Sequence, residues 1–364
     1  MAKGTKKVEG EEVKKDIFQE KLKALETKFG AGTILLGKDI VQKVEVVPSG
    51  SLTLDIATNL GGHPLGKLIE IFGQESSGKS TITLHAIAGF QKLEGECVLV
   101  DFEESFDRQY ATQLGVNVDK LTIVQPESME QGYNIIEELI KTKKVRLVVI
   151  DSHTAAAPLK VVQGEVGEQT VGLQARINSQ ALIKIKPLLR DNRCTLIGVS
   201  QLRQQVGAYG DPNQPTGGLA WKFYSDIRYK VSKVLEKENE SNKTTVEVIK
   251  NKCAAPWGVA KFNVNWGTGV DRWQEIVDLA VEYRILNKTA KGGWYTVGGD
   301  GTEGSGTKVQ GDEALKVFLS DNEAYATSLE KEVLHRMQNG IPEAKLIDAI
   351  NPTVVNEKDV LVKE

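Results

Sequence analysis

Leu68-Ile-Glu-Ile-Phe72 runs without a break into Gly73-Gln-Glu-Ser-Ser-Gly78-Lys79-Ser80, and Thr81-Ile-Thr-Leu-His-Ala-Ile-Ala-Gly-Phe-Gln91 follows. An apolar run, a glycine-bounded loop and an amphipathic stretch predict strand, loop and helix in that order. The loop matches G-x-x-x-x-G-K-[ST] in full. Gly73 and Gly78 let the backbone wrap so that successive N–H groups face phosphate oxygens. The helix start adds the positive end of its dipole. Lys79 reaches the β- and γ-phosphates, and the Ser80 hydroxyl ligates Mg²⁺. Gly73, Gln74, Glu75, Ser76, Ser77, Gly78, Lys79, Ser80 and Thr81 are therefore the candidate ATP-binding residues. A glycine turn ahead of an ordinary helix would leave the Gly-Lys-Ser order unexplained.

Working outward, Leu147-Val-Val-Ile-Asp151 is a second apolar strand ending in a carboxylate, suited to hold Mg²⁺ through its water shell. Between the two lies Cys97-Val-Leu-Val-Asp101-Phe-Glu103-Glu104. ATP hydrolysis needs a carboxylate to orient the attacking water, and Glu103 or Glu104 is placed to supply it. A solvated acidic loop would read the same way from spacing alone.

Further strands are expected at Leu121–Val124, Thr195–Ser200 and Val246–Lys250, with helical patterns between. Such alternation predicts an α/β fold, a mainly parallel sheet with helices on both faces. The expected organisation is an N-terminal arm over 1–39 and an ATPase core over 40–271. A small α+β domain over 272–338 and a flexible tail over 339–364 complete it. Residues 1–16 are rich in lysine and glutamate and read as disordered. Ile17, Leu22, Leu25 and Phe29 then mark one helix, whose stripe must pack on its own core or on another subunit. The helix patterns Trp273–Glu282 and Ala324–Met337 and the strand-like Gly293–Val297 make up the C-terminal unit. Gln204–Gly218 is rich in Gly, Pro, Gln and Asn, the composition of a functional loop.

Composition excludes several classes. The 364 residues are 40% hydrophobic and 26% charged, a globular profile. Forty-six basic and 49 acidic side chains leave a formal charge of −3, which rules out a net-basic nucleic-acid coat but not a local basic channel. No run approaches the ~20 apolar residues of a membrane helix, and no apolar stretch follows the N-terminal lysines as in a secretory signal. Cys97, Cys194 and Cys253 lie far apart, which argues for reduced thiols in the cytoplasm.

GQESSGKST, VDFEESFDRQYATQLGV, VIDSHTAAAP, GEVGEQTVGLQAR, PTGGLAWKFYSDIR and VIKNKCAAP together closely resemble the bacterial RecA recombinases in order and spacing, from about Leu22 to about Met337. The resemblance implies a RecA-type ATPase that forms a helical filament of its own copies on single-stranded DNA. It would pair that strand with homologous double-stranded DNA and exchange strands. On this resemblance Glu103 is the water-activating residue, and Asp107 and Tyr110 contact adenine. Gln201 senses the γ-phosphate, and Lys250 and Lys252 reach the neighbouring subunit's ATP as trans-acting cations. The resemblance places DNA contacts at Val171, Gly172 and Arg176 around the first loop. Arg203, Val206, Tyr209, Gly217 and Gly218 form the second set, with phosphate contacts carrying no sequence readout. Lys222, Phe223 and Arg228 fall at positions of the subunit interface, and the Ile17–Phe29 helix matches the element that docks on the adjacent protomer. The C-terminal unit is similar to a gateway for duplex DNA.

The chain departs from the family pattern around Phe102, His153 and Trp221, and its second loop is about one residue shorter. Valines stand at 171 and 206 where methionine or isoleucine is usual. The tail from Gly340 carries five acids against three lysines, too balanced for a strongly acidic restraint. A ring-forming motor on the same fold is the alternative. A small-molecule kinase would need an arginine-bearing lid, where this chain has a Gly/Gln/Pro loop with only Arg203.

Overall fold

A run in which every residue is buried is what a central parallel strand, covered on both faces, requires, and Leu68–Gly73 is such a run. The computed structural model describes residues 5–30, 33–34, 37, 44–165, 172–204, 213–215, 217–236, 241–289, 292–297 and 306–339. In chain order the helices are α1 (Thr5–Phe29), α2 (Leu52–Ala57), α3 (Lys79–Phe90), α4 (Arg108–Gln113), α5 (Met129–Lys141) and α6 (Leu159–Gln163). They continue as α7 (Leu173–Asn192), α8 (Ala220–Tyr224), α9 (Arg272–Glu282), α10 (Asp312–Asp321) and α11 (Glu323–Asn339). The strands are β1 (Val46–Val47), β2 (His63–Pro64), β3 (Leu68–Gly73), β4 (Glu96–Asp101), β5 (Leu121–Val124), β6 (Val145–Asp151) and β7 (Thr195–Gln204). After them come β8 (Asn213–Pro215), β9 (Ile227–Glu236), β10 (Ser241–Asn251), β11 (Val259–Asn265), β12 (Gly269–Val270), β13 (Trp294–Val297) and β14 (Thr307–Gln310).

The chain forms two compact units, Met1–Val44 and Glu45–Glu364. In the first, α1 starts at Thr5, within the stretch read as disordered. Lysine and glutamate are strong helix formers, so a segment with little to bury can still extend a helix that begins further on.

In the second unit the main sheet runs β12-β11-β10-β9-β3-β7-β6-β4-β5, with β8 paired to β7. Strands β9, β3, β7, β6, β4 and β5 are mutually parallel. From β9 onward the sheet turns antiparallel. There β11 alternates exposed and buried positions, as a strand with one solvated face does. The expected mainly parallel α/β sheet is therefore present, extended by an antiparallel edge. Helix α3 covers one face through Ile82, Ile87 and Phe90. On the other face α5 and α7 bring Tyr133, Ile136, Leu182, Ile185 and Leu189. Burying each such aliphatic side chain contributes about 1.5–3 kcal/mol. A third cluster, including Ile276, Tyr295, Leu315 and Val333, gathers α9, α10, α11 and the β13–β14 hairpin around Leu52 of α2.

Two buried carboxyls, one from α9 and one from α2, fix the start of α2 beside that cluster. Glu275 of α9 accepts from the Ser51 hydroxyl at 2.6 Å, from the Leu52 and Thr53 amides at 3.2 Å each, and from the Thr53 hydroxyl. Asp55 accepts from the Ser49 amide at 2.8 Å. Burial pushes Asp55 up to about 8 and Glu275 up to about 7, with the charge of Glu275 adding to the rise in Asp55. A carboxyl raised on folding binds its proton more tightly in the native state. Its stabilisation is complete below the unfolded value and is lost as pH rises through the folded one. The contribution of these two carboxyls should therefore fall between about pH 4 and about pH 8, and Asp55→Asn, which keeps the acceptor oxygen, should make the melting temperature drop less, or rise more, across that range than the wild type's. The check is a set of thermal melts across this range. A slope in Asp55→Asn equal to the wild type's would contradict it.

Candidate nucleotide site and neighbouring surfaces

Strand β3 delivers the phosphate loop and α3 receives it. A Cβ on Gly73 would lie 2.3 Å from the Val231 carbonyl oxygen and 2.9 Å from Ser77 Oγ, so only glycine lets β9 and the loop close here. Gly78 caps α3 with φ +95°, a left-handed conformation that side chains rarely adopt. Lys79 folds back across the loop and donates to the Gln74 carbonyl at 2.7 Å. Burial lowers its pKa, while the charges of Asp151, Glu103 and Glu75 oppose that shift.

A cleft of about 340 Å³ opens over these residues, lined by the loop from Ser76 to Thr81 and by Tyr110, Asn242, Asn265 and Trp266. Ser77 Oγ, Thr244 Oγ1 and Asn242 Oδ1 are buried around it without a hydrogen-bond partner among the described residues. Orphaned polar atoms at a cradle of backbone amides suit a polar ligand such as a polyphosphate. Ser80 Oγ donates to Asp151 Oδ2 at 2.9 Å. Burial first, then the charges of Glu103 and Asp101, push Asp151 up to about 6, while Ser80 and Lys79 hold it down. A carboxyl so crowded by acids is relieved by a cation. Among the described residues no group of three or more His, Cys, Asp or Glu is set to hold a metal. One hydroxyl and one carboxylate fit Mg²⁺, which keeps several waters and takes its remaining ligands from substrate phosphates.

The acidic turn after β4 is fixed by Asp101, whose oxygens accept from the Glu103 and Phe106 amides at 3.1 Å each. Glu103 Oε1 accepts from Gln201 Nε2 at 2.8 Å and from the Ser152 hydroxyl. Both Glu103 and Glu104 are exposed, but it is Glu103 that meets Gln201 near the end of β7. Asp107 is occupied as the cap of α4, accepting from the Tyr110 amide at 3.0 Å. The Tyr110 hydroxyl meets Thr81 Oγ1 at 2.9 Å, which sets its ring at the cleft wall. Asn242, Asn265 and Trp266 were not anticipated. Trp266 is 55% exposed directly after β11, and an exposed tryptophan beside an asparagine was the available signal.

Lys250 and Lys252 stand apart from this cleft. Lys250 Nζ donates to the Lys222 and Phe223 carbonyls at 2.6 and 3.1 Å, and Lys252 Nζ to that of Phe223 at 3.4 Å. Burial, then the charges of Lys252, Arg228 and Lys186, bring Lys250 down to about 8. It lines a second cavity of about 830 Å³ with Gln74, Lys222, Phe223 and Arg228. Phe223 is 63% exposed, whereas Arg228 is buried, paired with Glu70 at 2.5 Å and seated over the Phe72 ring. Arg228 is thus anchored in the sheet at the edge of that cavity, beside the exposed Phe223.

The first turn of α7 brings the described ends of the two loops together. Gly172 caps α7 with φ +73°, and Arg176 is exposed one turn on. Gly217 and Gly218 have φ +92° and +88°. The Gly217 carbonyl accepts from Asn178 of α7 at 2.8 Å, and a Cβ on Gly218 would lie 2.4 Å from that of Ala175. Arg203 lies in β7 opposite Gln214 of β8. Val171, Val206 and Tyr209 lie outside the described residues, as do 340–364.

Comparison with known proteins adds independent findings. The family profile described as the RecA N-terminal domain matches residues 16–271. The chain is 42% identical over 322 residues to Protein RecA of Porphyromonas gingivalis, covering 86% of this chain and 92% of that one. It is 42% identical over 325 residues to Protein RecA of Bacteroides thetaiotaomicron, covering 85% and 96%. With Protein RecA of Chloroherpeton thalassium the identity is 40% over 344 residues, covering 91% and 94%.

Proposed function

The chain belongs to the RecA family of ATP-dependent recombinases, and from that premise we propose that it assembles on single-stranded DNA with ATP and Mg²⁺, pairs it with homologous duplex and exchanges strands. The observation that carries this reading is the Glu103–Gln201 hydrogen bond of 2.8 Å. It joins the carboxylate beside the phosphate loop to the strand that runs on to Arg203 and the second loop. Loss of the γ-phosphate is thereby felt on the DNA side of the sheet, and nucleotide state biases DNA affinity.

Each residue acts on the bound nucleotide in turn. The loop amides and Lys79 hold the phosphates, and Tyr110 and Trp266 flank the cleft where a base stacks. Glu103 orients the attacking water and takes its proton. Ser80 and, through water, Asp151 would hold Mg²⁺, which would supply charge compensation for the phosphates. Lys250 and Lys252, away from their own cleft, compensate transition-state charge on a neighbouring copy's nucleotide. Gly217, Gly218, Arg176 and Arg203 contact DNA phosphates without reading sequence. No helix among the described residues is long and apolar enough to cross a membrane. The free cysteines fit a reducing bacterial cytoplasm, or that of a phage-infected cell.

The test is ATP turnover with and without mixed-sequence single strands, followed by joint-molecule formation with homologous and unrelated duplex. Turnover should depend on the single strand, and joints should form only with the homologous duplex. Turnover indifferent to DNA would contradict the reading. The trans assignment makes a separate prediction. Lys250→Ala and Glu103→Ala, each inactive alone, should partly restore hydrolysis when mixed, because some interfaces then carry one intact half from each. Absence of rescue at every mixing ratio would remove it.

A further inference from the structure

A polar lattice is buried where α7 and α8 meet β7, among side chains that no nucleotide contact uses. Trp221 stacks on His153 with ring centroids 4.3 Å apart and planes 6° from parallel. The indole occupies the space beside Gly198, where a Cβ would lie 2.2 Å from the ring, so the strand position is glycine because the helix position is tryptophan. His153 Nε2 lies 2.5 Å from Ser200 Oγ, and Ser200 Oγ donates to Glu70 at 3.1 Å. On the far side Trp221 Nε1 donates to Asn178 Oδ1 and to Tyr133 OH at 3.3 Å each. Tyr133 OH donates to Asn178 Oδ1 at 2.6 Å, and Asn178 Nδ2 donates to the Gly217 carbonyl at 2.8 Å. Tyr133 is 6% exposed, and His153, Asn178, Ser200 and Trp221 are 1% exposed or less. Apolar side chains would fill this volume without desolvating so many polar atoms, whereas a hydrogen-bonded network, here satisfied except at His153 Nδ1 among the described residues, favours one arrangement of its members.

The lattice has the ATP site at one end and the DNA-facing turn at the other. The short turn after β6 is held from the nucleotide side, where Ser152 meets Glu103 and Thr154 Oγ1 accepts from the Gln201 amide at 3.2 Å. The same turn is held from α7, where Gln174 Nε2 donates to the His153, Thr154 and Ala156 carbonyls at 3.3, 3.3 and 3.1 Å. We propose that His153, Trp221 and Asn178 are positioning residues that tie the Glu103–Gln201 pair to the Gly217–Gly218 turn, so that ATP binding raises DNA affinity through this buried lattice. The proposal rests on the roles given above to Glu103, Gln201, Gly217 and Gly218. Coupling of this kind travels through packed and hydrogen-bonded side chains with discrete arrangements.

Two variants test it. Asn178→Asp keeps the shape and the acceptor for Tyr133 and Trp221, but turns an oxygen toward the Gly217 carbonyl. His153→Phe keeps a ring on Trp221 and removes the contact with Ser200. For each, affinity for a labelled mixed-sequence single strand is measured with and without a slowly hydrolysed ATP analogue, together with the analogue's own affinity without DNA. The wild type should bind DNA more tightly with the analogue, and in both variants that ratio should shrink about tenfold while analogue binding alone stays unchanged. By reciprocity, the gain in analogue affinity on adding DNA should shrink by the same factor. A wild-type ratio in both variants, with wild-type melting, would overturn the proposal by leaving these residues a packing role only. Equal loss of every affinity would overturn it too, as general damage. If Asn178→Asp does not fold, His153→Phe decides alone. A wild type whose DNA affinity ignores the analogue would sink the functional reading itself, and the proposal with it.

Discussion

Lys79→Ala should lower DNA-stimulated ATP turnover by about three orders of magnitude, the upper range for removing one preorganised group from developing charge. Lys79 is 7% exposed and its ammonium already sits over the loop, bonded to the Gln74 carbonyl. Its charge is therefore held at the loop in a partly desolvated site before phosphates arrive. Burial depresses its pKa, but Asp151, Glu103 and Glu75 support the protonated form. Truncation leaves the Gln74 carbonyl free to face water or a neighbouring amide, so the fold should survive, as an unchanged melting curve would show. Normal turnover in a folded Lys79→Ala protein would remove the nucleotide-site assignment.

Glu103→Gln should lower turnover by about two to four orders of magnitude, the range for losing a positioned general base, while ATP and DNA still bind. The substitution keeps an oxygen able to accept from Gln201 and Ser152, so the geometry near the end of β7 is preserved and only the base is lost. Because hydrolysis ends the high-affinity state, the variant should also stay on DNA longer than the wild type. Stopped-flow dissociation with excess ATP measures this. Turnover within about twofold of the wild type would shift the base elsewhere, with Glu104 the first alternative.

Much of the fold was legible because the buried parallel strands are continuous apolar runs. Leu68–Phe72 matches its strand to within a residue, and Leu121–Val124 matches the partly exposed edge strand β5. The antiparallel edge was less so. Strands β9 and β11 largely alternate polar and apolar residues, with Lys230, Lys233 and Lys261 among the polar ones, a pattern that reads as surface until their partners are known. Helix α10 went unrecognised because only Leu315 and Leu319 are fully buried, too few for a clear stripe. At the site, spacing found the phosphate loop and Asp151, but could not separate Glu103 from Glu104. That choice depends on Gln201, 98 residues away in sequence. The His153–Trp221 stack was visible only as two departures from a family pattern. Its meaning depends on Gly198, whose missing side chain no motif marks.

The most direct measurement is electron microscopy of the protein on single-stranded DNA with a slowly hydrolysed ATP analogue and Mg²⁺. The expected result is a continuous helical filament with its DNA stretched well beyond the B-form rise. Closed rings threaded on DNA, or isolated particles indifferent to it, would contradict the recombinase account.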